Sequence, residues 1–149
     1  MRRLWPWTKN SDSRPETGIS GSHETGIRIL LISSDEEYRS QWQRIFDRRG
    51  WGLACAETLM EALKALRGFR SPVVVYDSHA ADEEWRLVLT TLRNLPHHPC
   101  ILLTSSVIDD SFGDEVVRLH GYDVLSRHAS EEEIARTINS AWFWKQHHA

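Results

Sequence analysis

The chain is poor in cysteine. Cys55 and Cys100 are the two in 149 residues, and both sit in apolar surroundings (Leu53-Ala54-Cys55 and Cys100-Ile101-Leu102). That excludes a disulfide framework and a cysteine zinc site, and leaves buried, reduced thiols of a cytoplasmic protein as the expectation. Long hydrophobic runs are also missing. The apolar stretches reach four or five residues, so no segment is expected to span a membrane. The basic start, MRRLWPW, has no apolar stretch behind it, which argues against a secretory leader. Neither charge sign dominates: 18 Lys and Arg stand against 21 Asp and Glu, with no basic stripe, so nucleic acid is not an expected partner. There is no GxxxxGK[ST] loop and no GxGxxG after any predicted strand, which removes the main support for a nucleotide-binding enzyme. No nucleophile, histidine and acid meet at strand ends. His97-His98 and His147-His148 are adjacent pairs in loose chain, not the i, i+4 pair that one helix face would offer to zinc.

What is present is regular alternation. Residues 1–25, with the Ser-, Thr-, Gly- and charge-rich TKNSDSRPETGISGSHETG, read as a disordered tail because they offer no periodic apolar face. From Ile27 onward, short apolar runs at 27–33, 51–56, 73–77, 100–104 and 122–126 read as strands. Between and after them, residues 35–49, 57–67, 82–94, 110–120 and 131–146 carry apolar positions at helical spacing. Tyr38, Trp42, Ile45 and Phe46 mark the first helix, and Gly50 stops it. Trp42 and Trp85 fall on core-facing stripes. A folded domain over 26–146 is expected, with 147–149 a short C-terminal tail. All-apolar strands separated by amphipathic helices imply an α/β domain with a parallel sheet covered on both faces. Its chemistry belongs at the carboxyl ends of the strands.

Those ends carry Ser33 and Ser34, Asp77, Thr104 and Ser105, and the stretch Ser126-Arg127-His128. A (βα)5 chain with an aspartate ending strand three, a threonine ending strand four and a basic residue after strand five resembles a receiver domain of bacterial response regulators. The resemblance implies a doubly wound, flavodoxin-like sheet of order 2-1-3-4-5. It implies Asp77 as the position that accepts a phosphoryl group from a histidine kinase, with Thr104, Ser105 and Arg127 at the phosphoryl-contact positions. Arg127 stands at the lysine of the family; a one-residue gap would put Ser126 or His128 there. The acidic pair that holds Mg²⁺ in the family falls on Ser33 and Ser34.

That departure changes the chemistry expected. Mg²⁺ prefers carboxylate oxygens, and each carboxylate lost removes several kcal/mol of gross attraction even at an effective dielectric of ~20. Asp35 and Glu36, just downstream, could take part in a rearranged metal site with Asp77. The alternative is that Ser34-Asp35-Glu36-Glu37 is a capping box with its acids complementing the helix dipole. Ser130 to Glu133 reads as a second such box. The family's proline after the lysine is His128 here, the proline of the loop after Asp77 is Ala81, a glycine position is Trp85, and the switch aromatic of strand five is Val124. The cofactor expectation is none, or Mg²⁺ held weakly.

Three functions fit these residues. The leading one is an atypical, stand-alone receiver acting by protein–protein contact with a histidine kinase or a downstream signalling protein, and not an enzyme. The second is a live receiver phosphorylated on Asp77 with Mg²⁺. The third is a flavodoxin-like enzyme or small-ligand binder. If Ile134, Ile138 and Ala141 face the sheet, Phe143 points away from it, at about 100° per residue, with Trp142 and Trp144 on either side. In the family the fourth helix, fifth strand and fifth helix form the usual dimer or output face, so these aromatics are the candidate interaction surface.

Overall fold

A computed structural model describes residues 26–68, 70–78, 84–106 and 108–148. The predicted tail at 1–25 and the Ala81 position lie outside the described residues. Five strands, β1 (Arg28–Ile32), β2 (Gly52–Ala56), β3 (Val73–Ser78), β4 (Cys100–Ser105) and β5 (Asp123–Ser126), alternate with five helices. The helices are α1 (Glu36–Arg49), α2 (Leu59–Gly68), α3 (Glu84–Arg93), α4 (Asp110–Arg118) and α5 (Glu131–His147). All strand pairs are parallel, in the order β2-β1-β3-β4-β5, as the alternation and the resemblance imply. No described helix is long and apolar enough to cross a membrane.

Because successive strand residues face opposite sides, the sheet feeds two cores. Leu31, Val75 and Leu102 pack under Trp42, Ile45 and Phe46 of α1 and Ile134 and Ile138 of α5. Leu30, Val74, Ile101 and Leu103 pack under α2, α3 and α4 in a cluster that includes Trp85 and Leu89. Trp42 and Trp85 are both buried, as their stripes predict.

The helix ends carry caps, one of them displaced from its predicted residue. Asp35, not Ser34, caps α1: its Oδ1 accepts from the backbone N–H groups of Glu37 (3.0 Å) and Tyr38 (3.2 Å). The predicted Ser34 box is thus displaced by one residue, and Ser34 is exposed. Asp wins because either residue can cap, and its carboxylate adds a charge favoured at a helix start. Gly50, at φ 73°, closes α1 in the left-handed region where glycine is least strained. Ser130 caps α5 as predicted, accepting from Glu133 N–H at 3.1 Å. Thr58 caps the start of α2 in the same way, accepting from Glu61 N–H at 3.1 Å.

The turn from α4 into β5 is closely packed. A Cβ built on Gly121 would stand 2.6 Å from Val116 Cγ1, and Val116 is fully buried. Gly121→Ala is expected to cost about 1–3 kcal/mol by overpacking. A urea midpoint below the parent's, partly restored by adding Val116→Ala, checks it.

Candidate functional site

Alternation places Val73 and Val75 in the core beneath α1 and α5 and puts Asp77 on that same face, one step past the apolar run. The register sets Asp77 beside Thr104. Ser33 follows β1, and Arg127 follows β5, its backbone N–H donating to Ser105 O at 2.9 Å.

The Asp77 side chain has no exposed surface. Its Oδ2 accepts from Ser33 Oγ at 2.8 Å, and its Oδ1 accepts from Thr104 Oγ1 at 2.8 Å. Arg127 grips both oxygens, Nε to Oδ1 at 2.8 Å and Nη2 to Oδ2 at 3.0 Å. This is the paired, fork-like geometry in which guanidinium binds carboxylate best. An ionised carboxylate has about four lone-pair sites, and these four bonds take them up. Nη2 also donates to Asp35 Oδ2 at 2.6 Å, so one guanidinium bridges two carboxylates. The Tyr38 ring lies over it, 4.2 Å from Cζ, within cation–π range.

The electrostatics follow the geometry. The Asp77 hydrogen bond is the largest cause raising the Arg127 pKa. The Arg127 hydrogen bond is the largest cause lowering that of Asp35. Burial pushes the Tyr38 hydroxyl up. Its oxygen is enclosed without a hydrogen bond of good geometry, as is Trp42 Nε1. Both thiols are raised by burial, Cys55 to about 11 and Cys100 to about 12, which keeps them protonated and unreactive at neutral pH.

The structure therefore brings together Ser33, Asp35, Asp77, Thr104 and Arg127. Among the three candidates after strand five, Arg127 reaches Asp77. Ser126 instead accepts from His128 N–H at 3.1 Å, and His128 is exposed. Ser34 and Glu36 are exposed and are not among the groups bonded to Asp77, while Ser105 lies on the opposite face of β4. Val124 packs against the α2–α4 core. Among the described residues no group of three or more His, Cys, Asp and Glu is arranged to hold a metal. With Arg127 in place, Asp77 has no lone pair left for Mg²⁺, so the residues as arranged do not fit that ion. Two partners escaped the sequence. Tyr38 reads only as a core position, and Asp35 only as a cap or a metal ligand.

The aromatics of α5 divide. Trp142 is half-buried against the core beneath α5, whereas Phe143 is 63% and Trp144 41% exposed. Trp144 leans on Tyr122, with ring centroids 5.8 Å apart.

Comparison with known proteins places this geometry on a familiar scaffold. No protein-family model and no curated protein matches the chain. Solved structures do. The CheY-like response regulator receiver domain protein of Methanospirillum hungatei is 13% identical with a TM-score of 0.73, over 83% of this chain and 99% of that one. The beryllofluoride-activated NtrC4 receiver domain is 22% identical with a TM-score of 0.70, over 79% and 98%. An orphan response regulator of H. pylori is 12% identical with a TM-score of 0.67, over 77% and 95%. The chain has the receiver fold.

Removing the cation tests how far the site depends on it. Arg127→Met leaves a buried carboxylate uncompensated and is expected to cost about 3–5 kcal/mol. Adding Asp77→Leu is expected to recover most of that loss in urea denaturation at neutral pH. Asp35 contributes above its unfolded pKa, near 3.8, and loses that contribution as pH falls through its lower folded value. The stability gap between parent and Asp35→Asn should therefore close in strong acid.

Proposed function

We propose that the chain is an atypical receiver of two-component signalling that works in the cytoplasm by binding other proteins, with Asp77 held by Arg127 in place of a metal-dependent phosphorylation cycle. The observation that carries this reading is the paired Arg127–Asp77 grip. Phosphoryl transfer asks a protein for positioning and charge neutralisation. Here the acceptor oxygens are already neutralised and already bonded. The serines at 33 and 34 add hydroxyls but no charge. The same fully bonded Asp77 counts against a flavodoxin-like enzyme or small-ligand site that would use this carboxylate.

One observation favours the live receiver. Asp35 and Asp77 converge on a single guanidinium, so an outward swing of Arg127 would leave two carboxylates facing the same space, beside the retained Thr104 hydroxyl. Phosphate incorporation from acetyl phosphate with Mg²⁺, read by intact mass, separates the two. The expected result is little or no labelling of the parent, and more in Ser33→Asp with Ser34→Asp, rising further with Arg127→Lys. Efficient labelling of Asp77 in the unmodified chain would establish the live receiver instead.

The partner, a histidine kinase or a downstream signalling protein, would meet the face of α4, β5 and α5, which could also pair two copies of the chain. Val117 of α4 is 59% exposed there, next in kind to Phe143 and Trp144, and such apolar exposure is typical of contact surfaces. Phe143→Glu is expected to weaken self-association or partner binding while leaving the melting temperature near the parent's. Unchanged sedimentation and unchanged partner binding would remove this face from the proposal.

A further inference from the structure

The sheet end opposite Asp77 carries a cavity of about 780 Å³. The start of β1, the segment before β3, the loop before β4 and the last turns of α5 line it, and it is open to solvent on one side. Among the described residues its ionisable lining is basic: Arg28, Arg70, Lys145, His97, His98 and His148. In a chain where acids outnumber Lys and Arg by 21 to 18, that is a segregated charge.

Helix dipoles account for part of it. Lys145 and His148 stand at the carboxyl end of α5, where cations are favoured. They do not account for Arg28 and Arg70, which belong to a strand start and a loop. Both are exposed, and neither has an ion pair among the described residues. Lys145 is fixed in the wall, its Nζ donating to His97 O at 3.0 Å and His98 O at 2.8 Å. The His97 ring is held below its ordinary pKa, by burial first and then by the charges of Arg70, Lys145 and His98. The cations thus converge on one space. His97 Nε2 is itself buried without a hydrogen bond of good geometry.

The walls pair charge with apolar surface. Backbone N–H groups at a helix start offer one ready-made phosphate site. Here α5 presents its carboxyl end, so the gripping groups are long side chains. Pro72, Pro96 and the half-buried Trp142 add apolar surface beside them. The volume falls within the range of ordinary ligand sites, ~300–1,000 Å³.

We propose that this cavity binds an acidic segment of a partner protein, carboxylates going to Arg28 and Arg70 and an apolar side chain to Trp142 and the two prolines. It is separate from the Asp77 site and from the α4–β5–α5 face, and stands whether or not Asp77 is phosphorylated. The test is fluorescence anisotropy of the full chain with a fluorescein-labelled peptide alternating glutamate and leucine, at low salt. Saturable binding is expected, weakened about tenfold by Arg28→Glu with Arg70→Glu. Arg44→Glu with Arg136→Glu changes the net charge equally at exposed positions on α1 and α5 and is expected to leave binding nearly unchanged. Near-UV circular dichroism of each variant confirms that it is folded. No saturable binding, or equal losses in both double variants, would overturn the site. Displacement of the peptide by ATP or a short DNA duplex at lower concentration would overturn the peptide assignment.

Discussion

A carboxylate sealed from solvent has to be paired, and at the end of β3 that requirement organises the top of the molecule. Taking an isolated ion out of water costs several kcal/mol even after relaxation, and the cost is recovered only with good geometry and with every remaining lone pair bonded. Asp77 meets both conditions. Two hydroxyls and one guanidinium satisfy its oxygens. The guanidinium is in turn fixed by Asp35 at its edge and by the Tyr38 ring over its face. Removing the arginine therefore costs far more than the pair itself contributes.

The same pair links the site to the outer helix. Arg127 begins the connection from β5 to α5. Its backbone is tied to Ser105, and Ala129 N–H donates to Ser126 O at 3.0 Å. Three residues after Arg127, Ser130 caps α5, and Glu131 in its first turn pairs with Arg48 and Arg49 at the end of α1. On the proposed function, whatever loosens Arg127 from Asp77 is first felt in this short segment and then along the helix that carries Phe143 and Trp144. On that proposal, the segment is a mechanical route between the strand ends and the proposed binding face.

Much of this was legible in the residues. The all-apolar strands and one-faced helices specify a doubly wound sheet, because only two packed faces bury both patterns. The aspartate after Val73-Val74-Val75-Tyr76 stands out for the same reason. What the sequence could not show depends on directions that periodicity does not encode. Ser34 and Asp35 are both good caps, and the choice between them turns on the charge favoured at a helix start, which apolar periodicity does not encode. Tyr38 satisfies a core stripe, so its contact with a cation just after β5, distant in sequence, left no local signal. Arg127 could be placed at the lysine position, but its closing of Asp77 by a two-oxygen grip follows from side-chain reach. The basic cavity gathers Arg28, Arg70, His97 and Lys145 from four separate segments, and no linear motif joins them.

The claim on which the account rests is that a protein cation fills the place of a metal at Asp77. The direct measurement is a Mg²⁺ titration of the full chain followed by the Arg127 Nε–H and Asp77 amide resonances in ¹H–¹⁵N spectra. The account expects a slowly exchanging Arg127 Nε–H signal, and no saturable shift of either resonance through the millimolar range. Saturable shifts of both, with loss of the protected Nε–H signal, would show that the metal displaces the arginine and would contradict it.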